Sequence, residues 1–231
     1  MKVIAINGSP RKNHNTAALL KKALEGAQAN GAKTELIHLY DLNYKGCTSC
    51  FACKRKNGPS YGICAWKDEL SPVLNKIKEA DAIILGSPIY LFDVTGQMHA
   101  FLERLVFPYL TYTEGYKSLF ERKIKTGLIY TMNVTAGQME GKGLRPALDG
   151  IEGFMKRTFG YSESLFSHDT YQFDDYDKYV ATIFDEHHKA LVREKQFPED
   201  CLKAYDMGLR FAGVELDGLE ENVNVPNAFS D

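Results

Sequence analysis

The chain has 231 residues, of which 44% are hydrophobic and 25% are charged, and its formal net charge is −2. This composition can supply the hydrophobic core of one ordinary domain, and it gives no electrostatic reason to expect binding to nucleic acid or to an anionic membrane. We find no charged and then apolar leader and no apolar run of membrane-spanning length, so we expect a cytoplasmic protein.

The first predicted element is a strand that runs into a polar loop and then a helix. The apolar run Val3–Ile6 ends in a segment of polar and basic residues, after which apolar residues recur at helical spacing over 16–30. Free N–H groups at the start of such a helix attract anions. The loop adds donor side chains from Ser9, Arg11, Asn15 and Thr16. We therefore predict a site for a small anion such as a phosphomonoester.

This loop differs from the loops of two common nucleotide-binding folds. A P-loop needs G-x-x-x-x-G-K-[ST] and a dinucleotide-binding turn needs G-x-G-x-x-G, whereas Gly8 is the one glycine between residues 7 and 16. An alternative stays open, which is an ordinary turn between strand and helix whose Ser, Asn and Thr side chains only cap the helix.

Apolar strands and amphipathic helices alternate along the chain, which is typical of a parallel sheet with helices on both faces. The predicted strands lie near 2–6, 33–38, 81–86, 124–131 and 162–168. The predicted helices lie near 16–30, 68–79, 97–106, 142–159, 178–194 and 199–213. We predict a flavodoxin-like, doubly wound α/β sheet of five strands in the order 2-1-3-4-5, with a C-terminal helical extension. The flavodoxin-like domain is expected to span 1–175, including an insert at 40–67, and the extension 176–231.

That strand order brings ligands to the carboxyl ends of the strands around the switch point between strands 1 and 3. The loops expected to build the site are 7–16, 87–96 and 131–141. The second loop combines a proline-stiffened turn with Tyr90 and Phe92, which suits contact with a flat ring. A planar heterocycle with a phosphate tail fits these loops. The alternatives are that the two aromatic residues belong to a core or an interface, and that the third loop binds no ligand.

The insert at 40–67 contains four of the five cysteines. These are Cys47, Cys50, Cys53 and Cys64. Three thiols at x₂ spacing are typical of ferredoxin-like iron–sulfur ligation, whereas structural zinc more often uses two separated pairs. An iron–sulfur cluster, zinc, and free thiols or a disulfide all stay open, and Cys201 is expected to be inert. The basic run 54–56 is expected to be a solvated surface that lowers the pKa of the nearby thiols.

A second insert, at 107–122, is rich in aromatic residues and too long for a plain turn. Such a loop is usually a lid or a subunit contact. Together with the C-terminal helices it carries more apolar surface than a monomer usually exposes, which predicts a symmetric homo-oligomer of at least two chains.

These motifs together resemble the NADPH-dependent FMN reductase superfamily and, within it, the iron–sulfur flavoproteins. The matching segments are 8–16, the four-cysteine motif, 67–70, 86–90 and 101–104, so that the resemblance covers roughly residues 1–105. It implies a flavodoxin-like fold, bound FMN, redox chemistry and a homodimer or homotetramer in which a neighbouring subunit completes the flavin site. The gap before Cys64 is longer than in typical iron–sulfur flavoproteins, so the flavin and cluster predictions are kept separate.

The resemblance and the loops together predict an NAD(P)H-dependent FMN reductase-type oxidoreductase. FMN is expected rather than FAD, because the first loop suits a terminal phosphate and lacks the glycines that a pyrophosphate needs. The phosphate would contact Ser9, Arg11, Asn15 and Thr16. The ring would be bordered by Pro88, Ile89 and Tyr90, and closed on its other side by Thr131, Met132 and Asn133. No catalytic side chain is distinguished.

NADPH or NADH would supply hydride, and a quinone, flavin, nitro compound or protein would accept the electrons. One rival function is that of an electron carrier, in which FMN and a cluster relay single electrons without a small substrate. Another is a binding module that uses the fold without a cofactor. For the cysteines the hypothesis is a [4Fe–4S] cluster on Cys47, Cys50, Cys53 and Cys64, close enough to the flavin for electron exchange.

Overall fold

The computed structural model describes residues 1–213. Its strands are β1 (Lys2–Asn7), β2 (Lys33–His38), β3 (Ala82–Tyr90), β4 (Asp93–Val94), β5 (Ile124–Thr131) and β6 (Gly160–Ser167). Its α-helices are α1 (Asn15–Ala29), α2 (Leu70–Lys78), α3 (Gly96–Val106), α4 (Ala136–Gly141), α5 (Arg145–Phe159), α6 (Glu186–Leu191) and α7 (Phe197–Gly213). A π-helical turn, Val192–Gln196, joins α6 to α7. The part of the predicted C-terminal extension beyond residue 213 lies outside the described residues.

Five strands pair in parallel in the order β2-β1-β3-β5-β6. This is the predicted order 2-1-3-4-5 once the two-residue β4 is set aside. Strand β1 is central and pairs with β2 on one side and β3 on the other. Its residues Val3–Ile6 are completely buried, because a parallel sheet is covered by helices on both faces.

Helices form one layer on each face of the sheet. Alternate strand residues such as Val3 and Ile84 pack against α1 and α7 on one face. Residues of the opposite parity, such as Ile4 and Ile83, pack with α2, α3 and α5 on the other face. The alternation follows from the two-residue period of a strand. Within residues 1–213, no helix is both long enough and apolar enough to cross a membrane.

The contact between α1 and α7 depends on a glycine in each helix. A Cβ atom on Gly208 would overlap the carbonyl oxygen of Ala23, and one on Gly26 would overlap the carbonyl oxygen of Tyr205. The two helix backbones therefore approach more closely than any larger residue would allow. This contact holds the predicted helix 199–213, seen here as part of α7, against the sheet domain.

Three predicted boundaries are wrong. The predicted loop 131–141 extends too far, because Ala136–Gly141 form α4. The predicted loop 87–96 begins too early, since β3 continues to Tyr90 and then pairs antiparallel with β4. The predicted helix 178–194 also begins too early, because α6 starts at Glu186. There the Asp185 side chain accepts a hydrogen bond from the backbone N–H of His188 and caps the helix.

Candidate functional site

A cavity of about 200 Å³ lies at the carboxyl ends of β1, β3 and β5. All ten residues that the sequence analysis assigned to ligand contact line it, namely Ser9, Arg11, Asn15, Thr16, Pro88, Ile89, Tyr90, Thr131, Met132 and Asn133. Their contact with FMN stays a prediction. Three more lining residues, His14, Thr170 and Gln172, were not predicted. Thr170 and Gln172 follow β6. They could have been predicted from their position after the carboxyl end of the last strand, because ligands bind at that edge of the sheet.

Hydrogen bonds accepted by its own polar side chains stabilise the loop after β1. The Asn7 side chain accepts a hydrogen bond from the backbone N–H of Ser9 at 3.0 Å, and the Ser9 hydroxyl accepts one from the N–H of Arg11 at 3.2 Å. His14 precedes α1 without a side-chain cap on the helix. The first turn of α1 is therefore not closed by a capping side chain at its N-terminus, where its N–H groups favour an anion.

The base of this loop is anchored to β2. The Nδ2 atom of Asn7 lies 2.9 Å from Nδ1 of His38. Burial lowers the pKa of His38 from its usual value. The neutral ring is therefore favoured, and it can accept a hydrogen bond from the Asn7 amide.

A hydroxyl pair connects the helix that starts at the first loop to the strand that leads into the third loop. The Oγ1 atoms of Thr16 and Thr131 lie 2.7 Å apart, and both residues are buried. Between them runs β3, where Gly86 allows Thr16 and Leu20 of α1 to approach the sheet. The helix that begins at the cavity is thus packed directly onto the strands that form its floor.

The segment after β6 forms the remaining wall and is hydrogen-bonded to the predicted phosphate loop. Arg11 donates from Nη1 to the carbonyl oxygen of Gln172 at 2.7 Å, and Asn15 donates from Nδ2 to the carbonyl oxygen of Tyr171 at 2.9 Å. Each of these side chains keeps further N–H donors beyond the one used here. The segment 170–172 therefore positions both side chains at the cavity.

The loop after β5 leaves one polar atom without a partner. Asn133 donates from Nδ2 to Oε1 of Gln172 at 2.9 Å, but its Oδ1 atom is buried and has no hydrogen-bond partner among residues 1–213. A buried acceptor without a partner is costly. This atom is therefore suited to accept a hydrogen bond from a ligand.

The cavity lining is polar at one end and largely apolar at the other. Among the described residues that line it there is no carboxylate, and Arg11 is the one arginine. Hydroxyl and amide groups lie around the start of α1, whereas Pro88, Ile89 and Met132 supply apolar surface. This arrangement suits a ligand with an anionic end and a flat ring.

An unusual hairpin lies at the rim of the cavity. Leu91 and Phe92 connect β3 to β4, and their φ angles are 50° and 71°. Positive φ at both central residues of a two-residue hairpin is typical of a type I′ turn, which normally contains Asn or Gly. Leu91 is 99% exposed and Phe92 is exposed, so Phe92 is not a core residue.

The four clustered cysteines line a second, smaller cavity beside the end of α3. Cys53 is buried, Cys64 is partly buried, and Cys47 and Cys50 are exposed. All five cysteines are free thiols in this structure. Within residues 1–213 no three His, Cys, Asp or Glu side chains form a group that could hold a metal ion.

The expectations for the basic run fail at Lys54 and Cys53, whereas Arg55 and Lys56 are exposed as predicted. Lys54 is not a solvated surface residue, because its ammonium group donates to the carbonyl oxygens of Phe107, Pro108 and Leu110. Burial raises the pKa of the Cys53 thiol, and the charge of Lys54 only partly offsets that effect. Lys54 therefore links the cysteine segment to the aromatic insert.

Sequence comparison identifies relatives over the first part of the chain. The chain matches the NADPH-dependent FMN reductase family over residues 1–159. An iron–sulfur flavoprotein from Methanocaldococcus jannaschii is 41% identical over 104 residues, which are 45% of this chain and 51% of that protein. The chain thus spans about half the length of the curated relatives it matches.

Solved structures share the fold over almost the whole chain. An NAD(P)H:quinone oxidoreductase from Methanothermobacter marburgensis matches with a TM-score of 0.68 and 14% identity, over 93% of this chain and 98% of that chain. An FMN-dependent NADH-azoreductase from Bacillus anthracis, solved in complex with FMN, matches with a TM-score of 0.62 and 13% identity, over 92% and 100%. These similarities confirm the flavodoxin-like fold. Because the family match covers more than half of the chain, the protein belongs to the NADPH-dependent FMN reductase family.

Proposed function

We propose that the protein is an FMN-dependent oxidoreductase that takes electrons from NADPH or NADH and passes them to a quinone, flavin, nitro compound or protein acceptor. One observation carries the proposal. The ten residues predicted from three separate loops line a single cavity at the carboxyl ends of β1, β3 and β5. In a doubly wound sheet this is where a ligand binds.

The polar end of the cavity fits the phosphate of FMN. The first turn of α1 has no side-chain cap, and the hydroxyl of Thr16 lies at the same helix end. Arg11 would add a positive charge and Ser9 a hydroxyl group. Charged hydrogen bonds to phosphate are among the stronger polar interactions in proteins, so this end of the site would supply much of the affinity.

The other end fits the isoalloxazine ring. Pro88, Ile89 and Tyr90 would border the ring, and Met132 would supply apolar surface opposite. The Oδ1 atom of Asn133, which is buried without a partner in the described part of the chain, would accept a hydrogen bond from a ring N–H. Bound FMN would supply the hydride and single-electron chemistry. The protein's part is to orient the ring, and we assign no catalytic side chain.

Steady-state kinetics test this function. FMN-loaded protein is mixed with NADPH or NADH and a simple quinone, and oxidation of the nicotinamide is followed by absorbance. We expect turnover that depends on protein-bound FMN and is lost when FMN is removed. Absence of turnover with every acceptor class, in protein shown to hold FMN, would contradict an enzymatic role.

A second candidate function, an iron–sulfur flavoprotein that carries electrons between proteins, is favoured by the cysteine cavity. The long gap before the fourth cysteine folds back on itself, because the backbone N–H of Gly62 donates to the carbonyl oxygen of Cys53 at 3.0 Å. Cys64 thereby lines the same cavity as Cys47, Cys50 and Cys53.

In a [4Fe–4S] cluster each cysteine binds a different iron, so the thiols need not surround one ion. The apolar side chains of Phe51, Trp66 and Phe107 would shield the cluster from water. Rapid bleaching of the flavin by NADPH favours the enzyme, whereas reduction by ferredoxin alone favours the carrier.

A further inference from the structure

Every N–H donor of one buried arginine is used by the cysteine insert or by Asp68, the residue that follows it. Arg104 on α3 is 3% exposed. It donates from Nη1 to Asp68 at 2.5 Å and to the carbonyl oxygen of Lys45 at 3.1 Å. It donates from Nη2 to Asp68 at 3.1 Å and to the carbonyl oxygen of Trp66 at 3.3 Å. The remaining donor, Nε–H, is directed at the sulfur of Cys64 at 3.4 Å.

The direction of this last hydrogen bond is set by the ion pair. Asp68 accepts from both terminal nitrogens of Arg104, which fixes the plane of the guanidinium group. The Nε–H group must then point to Cys64. A neutral thiol is a weak acceptor, whereas a metal-bound thiolate carries negative charge. The donor is thus placed where a thiolate ligand would use it.

The residue before Arg104 holds the other end of the cysteine motif. The Oε2 atom of Glu103 accepts a hydrogen bond from the backbone N–H of Cys47 at 2.8 Å. Two adjacent residues of α3 therefore contact the first and the fourth cysteine of the motif. Since helices are more rigid than loops, α3 supplies a fixed support for a ligand set carried by an irregular segment.

We propose that Arg104 is a positioning residue for an iron–sulfur cluster in this cavity. Its Nε–H group holds the Cys64 sulfur in place as the fourth ligand and raises the reduction potential of the cluster. Hydrogen bonds to ligand sulfur atoms tune both the stability and the potential of such centres. The inference rests on the cluster in the proposed function and is independent of the flavin.

The test uses anaerobic reconstitution of the full chain with iron and sulfide. The variants are Arg104→Gln, Arg104→Lys and the pair Arg104→Gln with Asp68→Asn, which leaves no uncompensated buried carboxylate. The control is Arg210→Gln, because Arg210 forms an ion pair with Glu163 and neither residue lines the cavity of the four clustered cysteines. Iron content, the rate of iron loss to a chelator and the midpoint potential of the cluster are measured.

We expect the wild type to bind about four irons per chain, the number in a [4Fe–4S] cluster. All three Arg104 variants should lose iron to the chelator about 10- to 100-fold more readily, as for other residues that support metal ligands. Their clusters should have lower potentials. Arg104→Lys should not restore the wild-type potential, because an ammonium group cannot reproduce the fixed Nε–H direction. If Arg104→Gln fails to fold, the pair variant and Arg104→Lys decide the question.

Two results would overturn the inference in distinguishable ways. If the Arg104 variants lose iron at the same rate as Arg210→Gln and have the same cluster potential, Arg104 is not a positioning residue. That result would not contradict the cluster itself. A wild type that takes up no more iron than Cys50→Ala would overturn the cluster and this inference together. The FMN content of the same samples reports separately on the flavin site.

Discussion

The ammonium group of Lys189 lies 2.5 Å from Oδ1 of Asp169, in a buried ion pair behind the cavity wall. Lys189 also donates to the carbonyl oxygen of Asn133 at 3.3 Å. Asp169 has a φ of 50°, and its backbone N–H donates to Val134. Helix α6, which lies beyond the family match, thus supports the loop that would close over the flavin.

Replacement of Lys189 by Met should destabilise the protein and weaken FMN binding. The substitution leaves the Asp169 carboxylate buried, and the remaining ion-pair contact within residues 1–213 is with the His188 ring, whose Nε2 atom lies 3.0 Å from Oδ2. Breaking a buried pair by removing one partner costs about 3 kcal/mol or more. Urea denaturation measures the change in unfolding free energy, and fluorescence titration measures the affinity for FMN.

The double variant Lys189→Met with Asp169→Asn is the control. Asparagine tolerates the positive φ at position 169 and carries no charge, so much of the lost stability should return. A Lys189→Met variant as stable as the wild type would show that the ion pair does not support the loop.

Replacement of Arg11 by Ala should weaken FMN binding by roughly ten- to hundredfold, since a charged hydrogen bond contributes about 1.5–3 kcal/mol. Lys12→Ala is the matched control, because Lys12 pairs with Asp41 and does not line the cavity. Affinities are compared by titration of the apoprotein with FMN. Equal affinity in Arg11→Ala and the wild type would remove Arg11 from the phosphate site.

Replacement of Leu91 and Phe92 by Asn and Gly should stabilise the protein. Both positions have positive φ, which costs a branched or bulky residue of order 1 kcal/mol or more. We expect unfolding free energy to rise by about 1–2 kcal/mol in the double variant. Ile183→Asn, which also replaces an exposed apolar residue but without positive φ, should change it by less than about 0.5 kcal/mol. If the unfolding free energy of the double variant is no higher than that of the wild type, the backbone at Leu91 and Phe92 is not strained.

Stability should fall as the pH drops below about 6.5, the ordinary pKa of histidine. Burial lowers the pKa values of His38 and His168 in the folded protein. The unfolded chain therefore binds protons first, and the stabilisation present above pH 6.5 is lost as these groups protonate. Unfolding at pH 7.5 and pH 5.5 measures this loss, which should be smaller in His38→Gln. If His38→Gln loses as much stability between pH 7.5 and pH 5.5 as the wild type does, the pH dependence arises from groups other than His38.

Much of the fold was predictable because the buried strands are nearly uninterrupted apolar runs. That the residues after β1, at the end of β3 and at the end of β5 line one cavity was predictable for a related reason, since strand order determines which loops meet. Local signals did not reveal the hairpin, because Leu91 and Phe92 are not residues that favour a two-residue turn. Helix α6 was predicted too early because Asp185 was not identified as its cap.

The supporting contacts could not be predicted from local patterns. Lys189 and Asn133 are separated by 56 residues, and Arg11 and Gln172 by 161. Such pairs depend on how α6 and the segment after β6 pack against the rest of the domain. The periodicity of apolar residues and the spacing of motifs in the sequence do not indicate this packing. The placement of Lys54 against backbone carbonyls is of the same kind, since a basic run usually indicates a solvated surface.

The protein should form a dimer or a tetramer in solution. Tyr112 in the aromatic insert and Val180 before α6 are both exposed, and such apolar residues commonly contact a second subunit. Sedimentation at micromolar concentration should give a mass well above the 26.0 kDa of one chain. A single species at the monomer mass would contradict the oligomer.

The visible absorption spectrum of anaerobically purified protein, recorded before and after addition of NADPH, tests the central claim most directly. The account predicts flavin bands that correspond to about one FMN per chain and that NADPH bleaches, with a broad iron–sulfur shoulder beneath them. A colourless protein that takes up no added FMN would contradict the account.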